Sequence, residues 1–208
     1  MKKTFFSILL ALCAFTGIKA QTEYVPTEAN LRSREEFRDM KLGIFLHWGI
    51  YSMFAQGEWY LQNAVPDRYE YAKVADAFYP HRYNAREWVR AIKAAGAKYI
   101  CFTTKHHDGF CMWDTKQTDY NIMNTPYGRD VLKMLADACA KYRIKFGVYL
   151  SPWDRNCKLY GQGKAYDDYF ISQLTELLTN YGEVFSVWFD GACGEGENGK
   201  KQYYDWDR

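Results

Sequence analysis

Four short apolar runs, rich in β-branched and aromatic residues, punctuate the chain at Leu42–His47, Tyr99–Thr104, Phe146–Ser151 and Val184–Phe189. Runs of this length predict strands buried in a parallel sheet. Between them the apolar spacing lengthens to the helical period. Asn84 and Glu87 offer a capping box for a helix through Ala95, with Gly96 as its stop. Asp130 can cap a helix over 131–142 whose stripe is Val131, Leu132, Leu135, Ala138 and Cys139. Tyr169, Phe170, Leu174, Leu177 and Leu178 form a further stripe that Asn180 and Gly182 end. Strands alternating with helices through right-handed crossovers make a parallel α/β sheet.

The long inserts at 51–82, 105–129 and 152–166 all follow strands, so they leave the C-terminal edge of the sheet, where α/β folds place their sites. Alternation then decides which strand residues face that site. Leu42, Ile44 and Leu46 form one face of the first strand, leaving Gly43, Phe45 and His47 on the other. The same parity groups Gly147, Tyr149 and Ser151, and Ser186, Trp188 and Asp190, so His47, Tyr149 and Asp190 converge from three strand tips. The second strand runs into Lys105-His106-His107-Asp108. On a regular strand His106 and His107 point to opposite faces, which weakens the alternative that His47, His106, His107 and an Asp hold a metal ion. Neutral imidazoles also bond sugar hydroxyls well. Glu58-Trp59-Tyr60, Trp113-Asp114 and Trp153-Asp154 set carboxylates beside tryptophans in the rim loops, a pairing suited to carbohydrate.

Composition narrows the classes further. With 27 Lys+Arg against 25 Asp+Glu in 208 residues, 48% hydrophobic and 18% aromatic, the chain is globular and no polyanion binder. Met1-Lys2-Lys3, an apolar run from Phe5 to Phe15 and small residues to Ala20 have the layout of a secretory leader, too short to span a bilayer. Residues 1–20 are therefore expected to be removed on export to the periplasm or beyond, with no stable membrane insertion. Losing Lys2, Lys3 and Lys19 leaves 24 basic against 25 acidic residues. Residues 21–41 then form an extended arm or short leading helix, and 42–208 the folded part. Cys101, Cys111, Cys139, Cys157 and Cys193 remain, at spacings that match no zinc pattern, and are expected mostly as buried small hydrophobes.

The constellation Gly43-Ile44-Phe45-Leu46-His47-Trp48-Gly49, Glu58-Trp59-Tyr60, Thr104-Lys105-His106-His107-Asp108-Gly109-Phe110 and Val187-Trp188-Phe189-Asp190-Gly191-Ala192 resembles the α-L-fucosidases of glycoside hydrolase family 29. The resemblance runs from about Leu42 to the end of the chain. It implies a (β/α)8 TIM-like barrel, of which this chain carries about the first four β/α units, and a retaining double displacement on fucosylated glycans without cofactor or metal. Asp190 then takes the place of the nucleophile, His47, Glu58, Trp59, His106 and His107 those of the fucose ligands, and Tyr149 and Trp188 those of its neighbours. Retention needs a second carboxyl group about 5 Å away. In the family this is a Glu well beyond the nucleophile motif, and Glu195 and Glu197 look like loop residues instead. A full barrel takes roughly 250 residues, so the chain is expected to be the N-terminal part of such an enzyme, inactive or unstable alone. A non-catalytic sugar-binding remnant is the alternative.

Overall fold

The computed structural model describes residues 24–64 and 67–207. The expected leader at 1–20 lies outside the described residues. The chain divides into two units, one ending at Arg38 and the other running from Asp39 onward. The first holds most of helix α1 (Glu28–Met40), which buries no residue. Thr27 opens it by accepting a hydrogen bond from the Asn30 amide through Oγ1 at 3.2 Å. A short leading helix is thus present within 21–41, starting later than the polar stretch does.

The second unit is built on a four-stranded parallel sheet in the order β1 (Gly43–Leu46), β2 (Tyr99–Lys105), β3 (Lys145–Leu150) and β4 (Ser186–Trp188). Two short helices, α2 (Tyr60–Asn63) and α3 (Arg68–Ala72), lie in the insert after β1, and α4 (Ala85–Ala94) leads to β2. Helices α5 (Val131–Tyr142) and α6 (Lys164–Asn180) make the next two crossovers. Asn84 caps α4 by accepting from the Glu87 amide, and Asp130 caps α5 by accepting from the Lys133 amide at 2.8 Å. Each such cap contributes about 1 kcal/mol. Helix α6 begins before its apolar stripe because its first turn buries Tyr166 and Asp167.

The register explains the two faces of the sheet. Leu46 pairs with Phe102, Phe102 with Val148 and Val148 with Val187, and on this face Leu46, Phe102 and Val148 pack into the core that the helices share. Phe45, Cys101, Gly147 and Ser186 lie in register on the other face. At Gly43 the ring of Tyr99 occupies the space a Cβ would take, so a larger residue there would have to displace that ring. The expectation that all four strands are buried holds only for β2 and β3. Ile100 and Val148 are fully buried, whereas Phe45 is 39% exposed, Val187 37% and Trp188 51%. The reason is position: β1 and β4 each have a sheet neighbour on one side only. The same edge position leaves β4 shorter than its apolar run, with Val184, Phe185 and Phe189 outside the ladder.

Candidate active site

Three strand tips and the loops above them form one aromatic and imidazole cluster. Phe45 lies 4.7 Å from His47, 5.8 Å from Tyr149 and 5.3 Å from Trp188 between ring centroids. His47 lies 5.5 Å from His106 and 5.9 Å from Tyr149, and the His106 ring stacks on Tyr149 at 5.6 Å. The face chosen by alternation is therefore the one on which His47, Tyr149 and Trp188 meet. Asp190 joins them through its side chain: Tyr149 Oη donates to Oδ2 at 2.8 Å, and the Ala192 amide donates to Oδ1 at 3.0 Å. Both carboxylate oxygens are held in place, with lone pairs left for chemistry. Burial raises the Tyr149 phenol, and its bond to Asp190 raises it further, so it remains a donor.

His106 and His107 do not part to opposite faces. The β2–β3 register slips between Thr103 and Lys105, so that Lys105 rather than Thr104 stands opposite Leu150. That extra residue is a bulge, and it reverses the parity of the residues beyond it. Lys105 turns toward the helix face and His106 toward the site. The chain then leaves the strand in a turn closed by the Gly109 amide on the His106 carbonyl at 3.0 Å. His107 comes to rest 4.4 Å from His106, between Trp59 at 4.8 Å and the stacked ring of Trp153 at 5.1 Å. Gly109 has φ +80°, and a Cβ there would lie 2.5 Å from Asp154 Oδ1, so both conformation and space demand glycine.

Lys105 explains why the bulge persists. Its side chain is fully buried, and Nζ donates to Asp154 Oδ2 at 3.0 Å, Gln173 Oε1 at 3.0 Å and Tyr166 Oη at 3.1 Å. All three ammonium protons are thereby used. Asp154 Oδ1 accepts from the Asn156 and Cys157 amides at 3.0 and 2.8 Å, which fixes the loop beyond Trp153. One ion pair thus orders both the histidine turn and the Trp153 loop. This corrects the reading of Asp154 as a carboxylate offered to a ligand. Trp113 and Asp114 do not rim the site either. Trp113 is fully buried with its indole donating to Glu176 at 3.0 Å, and Asp114 pairs with Lys116 at 2.6 Å.

The imidazoles are buried but incompletely bonded. His106 is 3% exposed and His107 2%, yet His106 Nδ1 and His107 Nε2 have no hydrogen-bond partner. A buried polar atom left unpaired costs roughly 1–3 kcal/mol, so these two atoms mark where a polar ligand would be bonded. Burial depresses both, His106 to about 2 and His107 to about 4, and in His107 it outweighs the opposing pull of the Asp190 charge. Each ring is neutral, with one nitrogen donating and one accepting. Because neither gains a proton until pH falls toward about 4, His106 and His107 are expected to keep the same neutral state from pH 7 to pH 5. Following the His106 and His107 imidazole resonances by NMR across that range checks this, and a midpoint near about 6.5 for either would show an ordinary, solvated histidine.

Glu58 is half-buried, and its charge, with that of Asp108, reaches Tyr51. Trp59, 37% exposed, forms the outer wall over His107. Tyr51 was not singled out by the sequence, yet its ring sits 5.5 Å from His106 and its hydroxyl meets Thr103 Oγ1 at 3.1 Å. It comes after β1 in a 3-10 turn, where no strand or helix period distinguishes a site residue from filler. Among the described residues no group of three or more His, Cys, Asp or Glu side chains is arranged to hold a metal ion. All five described cysteines are free, three of them buried.

A family model described as alpha-L-fucosidase matches residues 11–207. The chain belongs to the alpha-L-fucosidase family. Alpha-L-fucosidase 1 of Arabidopsis thaliana is 39% identical over 167 residues, covering 79% of this chain and 31% of the relative. A glycoside hydrolase 29 family member from a rumen bacterium is 44% identical with a TM-score of 0.70, covering 87% of this chain and 31% of that one. A GH29 alpha-L-fucosidase from Bacteroides thetaiotaomicron, solved as a trapped covalent intermediate with 2-fluoro-fucosyl fluoride in a Glu-to-Gln variant, is 34% identical with a TM-score of 0.71. That match covers 77% of this chain and 41% of that one. The chain thus spans about a third of the length of the plant relative it matches. Its four strands and their helices are an α/β portion of the (β/α)8 barrel of these fucosidases.

Proposed function

We propose that the chain is the nucleophile-bearing part of a retaining α-L-fucosidase, completed by a downstream segment and exported through the leader at residues 1–20. The observation that carries this is the pair of buried, unbonded imidazole atoms, His106 Nδ1 and His107 Nε2, on the same sheet face as the doubly held carboxylate of Asp190. The first supply hydroxyl recognition and the second a fixed nucleophile. His47, Glu58 and Trp59 complete the fucose cradle, and Tyr149 and Trp188 flank Asp190.

In this mechanism an Asp190 oxygen attacks the anomeric carbon as the glycosidic C–O bond breaks, and a carboxylic acid protonates the departing oxygen. The same group, now a carboxylate, takes a proton from water as that water attacks the fucosyl ester, releasing fucose and restoring Asp190. Glu195 is exposed and Glu197 is committed to Arg155 at 2.8 Å. As the family resemblance implies, the acid is assigned to a Glu well beyond the nucleophile motif. The related bacterial enzyme captured as a covalent intermediate supports the two-step route.

The test is covalent labelling. The full-length protein from its own host, incubated with 2-fluoro-fucosyl fluoride and digested, is expected to carry one fucosyl adduct on the peptide containing Asp190. Its intact mass is expected to exceed the 24.5 kDa of this chain. Fucose binding without any adduct or turnover would leave only a sugar-binding protein.

A further inference from the structure

A second concavity opens beside the proposed fucose site, at the same end of the sheet. It has a volume of about 490 Å³ and lies among the first turn of α3, the loop after β3 and the loop after β4, with Asp67, Arg68, Tyr69, Lys158, Glu197 and Asn198 in its walls. The two sites share a strip of chain. Arg68 Nη1 donates to the Arg155 carbonyl at 2.8 Å, and the Arg155 guanidinium lies 6.0 Å from the Trp153 ring, which stacks on His107.

The walls of this cleft carry two carboxylates and two cations, and the carboxylates are not the partners of those cations. Both carboxylates are already committed: Asp67 Oδ1 accepts from the Tyr69 and Glu70 amides, and Glu197 pairs with Arg155. Arg68 is only 9% exposed, and among the described residues no carboxylate lies within ion-pair distance of it. Its Nη2 donates to the Tyr69 hydroxyl at 2.7 Å, while Nε has no partner. Lys158, at the exposed side of the same wall, has no ion-pair partner among the described residues. A guanidinium so deeply buried without a counter-charge is costly, and its planar fork fits a carboxylate or sulfate. The Arg68 guanidinium lies over one face of the Tyr69 ring, 4.6 Å from its centroid, and the ring, 53% exposed, leaves its other face for a sugar to pack on.

We infer that this cleft binds an acidic sugar, one bearing a carboxylate or a sulfate, in the glycan from which fucose is removed. The inference rests on the fucosidase reading for the role of the ligand, though not for its chemistry. The acid takes the place of Arg68's missing counter-charge with Lys158 as a second cation, and the ring lies against Tyr69. Acidic glycans are then selected over neutral ones by contacts outside the fucose cradle.

The experiment titrates the full-length protein by calorimetry with sulfated galactose, galacturonate and galactose. At least one acidic sugar is expected to bind roughly tenfold or more tightly than galactose, as a charge-assisted bond implies, and whichever acid is preferred identifies the group. Lys158→Gln, at an exposed position that leaves the fold intact, and Arg68→Lys, which keeps the charge and removes the fork, should each erase most of that preference. Thermal unfolding of both variants guards against misfolding. Equal binding of acidic and neutral sugars, or an acidic preference untouched by Lys158→Gln, would overturn the inference. Turnover of an aryl fucoside in the same preparation reports the other site: an acidic preference without turnover keeps the cleft and removes the fucosidase, and turnover without the preference does the reverse.

Discussion

Asp190→Gly in the full-length protein is expected to lower turnover of an aryl fucoside on the order of 10⁴-fold or more, the scale seen when a covalent nucleophile is removed. The size reflects the role, since without the carboxylate the first displacement has no partner. The chemistry also predicts a rescue. Glycine leaves a cavity on the face opposite the leaving group, and an added small anion such as azide can enter it and attack directly. One displacement inverts where two retain, so the product should be a fucosyl azide of inverted anomeric configuration. Asp190→Asn keeps an oxygen for the Tyr149 hydroxyl, which now donates to Oδ2 at 2.8 Å. It should be equally inactive without being rescued, because the amide fills the cavity. Turnover within tenfold of the native enzyme in either variant would move the nucleophile elsewhere. Rescue with retained configuration would deny Asp190 the attacking position.

The part of this site legible in the sequence is the part that obeys strand parity. Phe45, His47, Tyr149, Trp188 and Asp190 lie on or just past regular strands, and alternation alone puts them on one face. Parity also breaks where tertiary structure overrides it. Lys105 looks like a surface residue ending a strand, and nothing local says that Asp154, Tyr166 and Gln173 will draw it under the helices. Those partners lie 49 to 68 residues away, so the bulge and the convergence of His106 with His107 were invisible to any local pattern. The Trp113-Asp114 pair misses the rim for a related reason. Trp113-Asp114 has the composition of a rim, but burial of Trp113 against Glu176 depends on a helix that arrives much later in the chain. The exposed apolar flanks of β1 and β4 likewise depend on what stands beside each strand, which composition does not encode.

Lys105→Met should therefore be far more damaging than its place in a strand suggests. It leaves the Asp154 carboxylate, 1% exposed, without a cation, and breaking a buried pair from one side costs roughly 3–5 kcal/mol. Chemical denaturation of the full-length protein is expected to show a loss of that size. Lys105→Met combined with Asp154→Asn removes both charges, and the new amide oxygen can still accept from the Asn156 and Cys157 amides that Oδ1 now holds. Most of the stability should return, because neutral partners carry no desolvation penalty for a stranded ion. The site should not return with it. Methionine cannot donate to Gln173 and Tyr166, so nothing holds the bulge that turns His106 inward. Fucose affinity is then expected to stay weakened in the double variant although the fold is restored. That separation distinguishes a positioning role from a merely structural one. A double variant that regains native affinity together with native stability would show that the bulge forms without the ion pair, and that the packing around Gly109 and Tyr149 is enough to set the histidines.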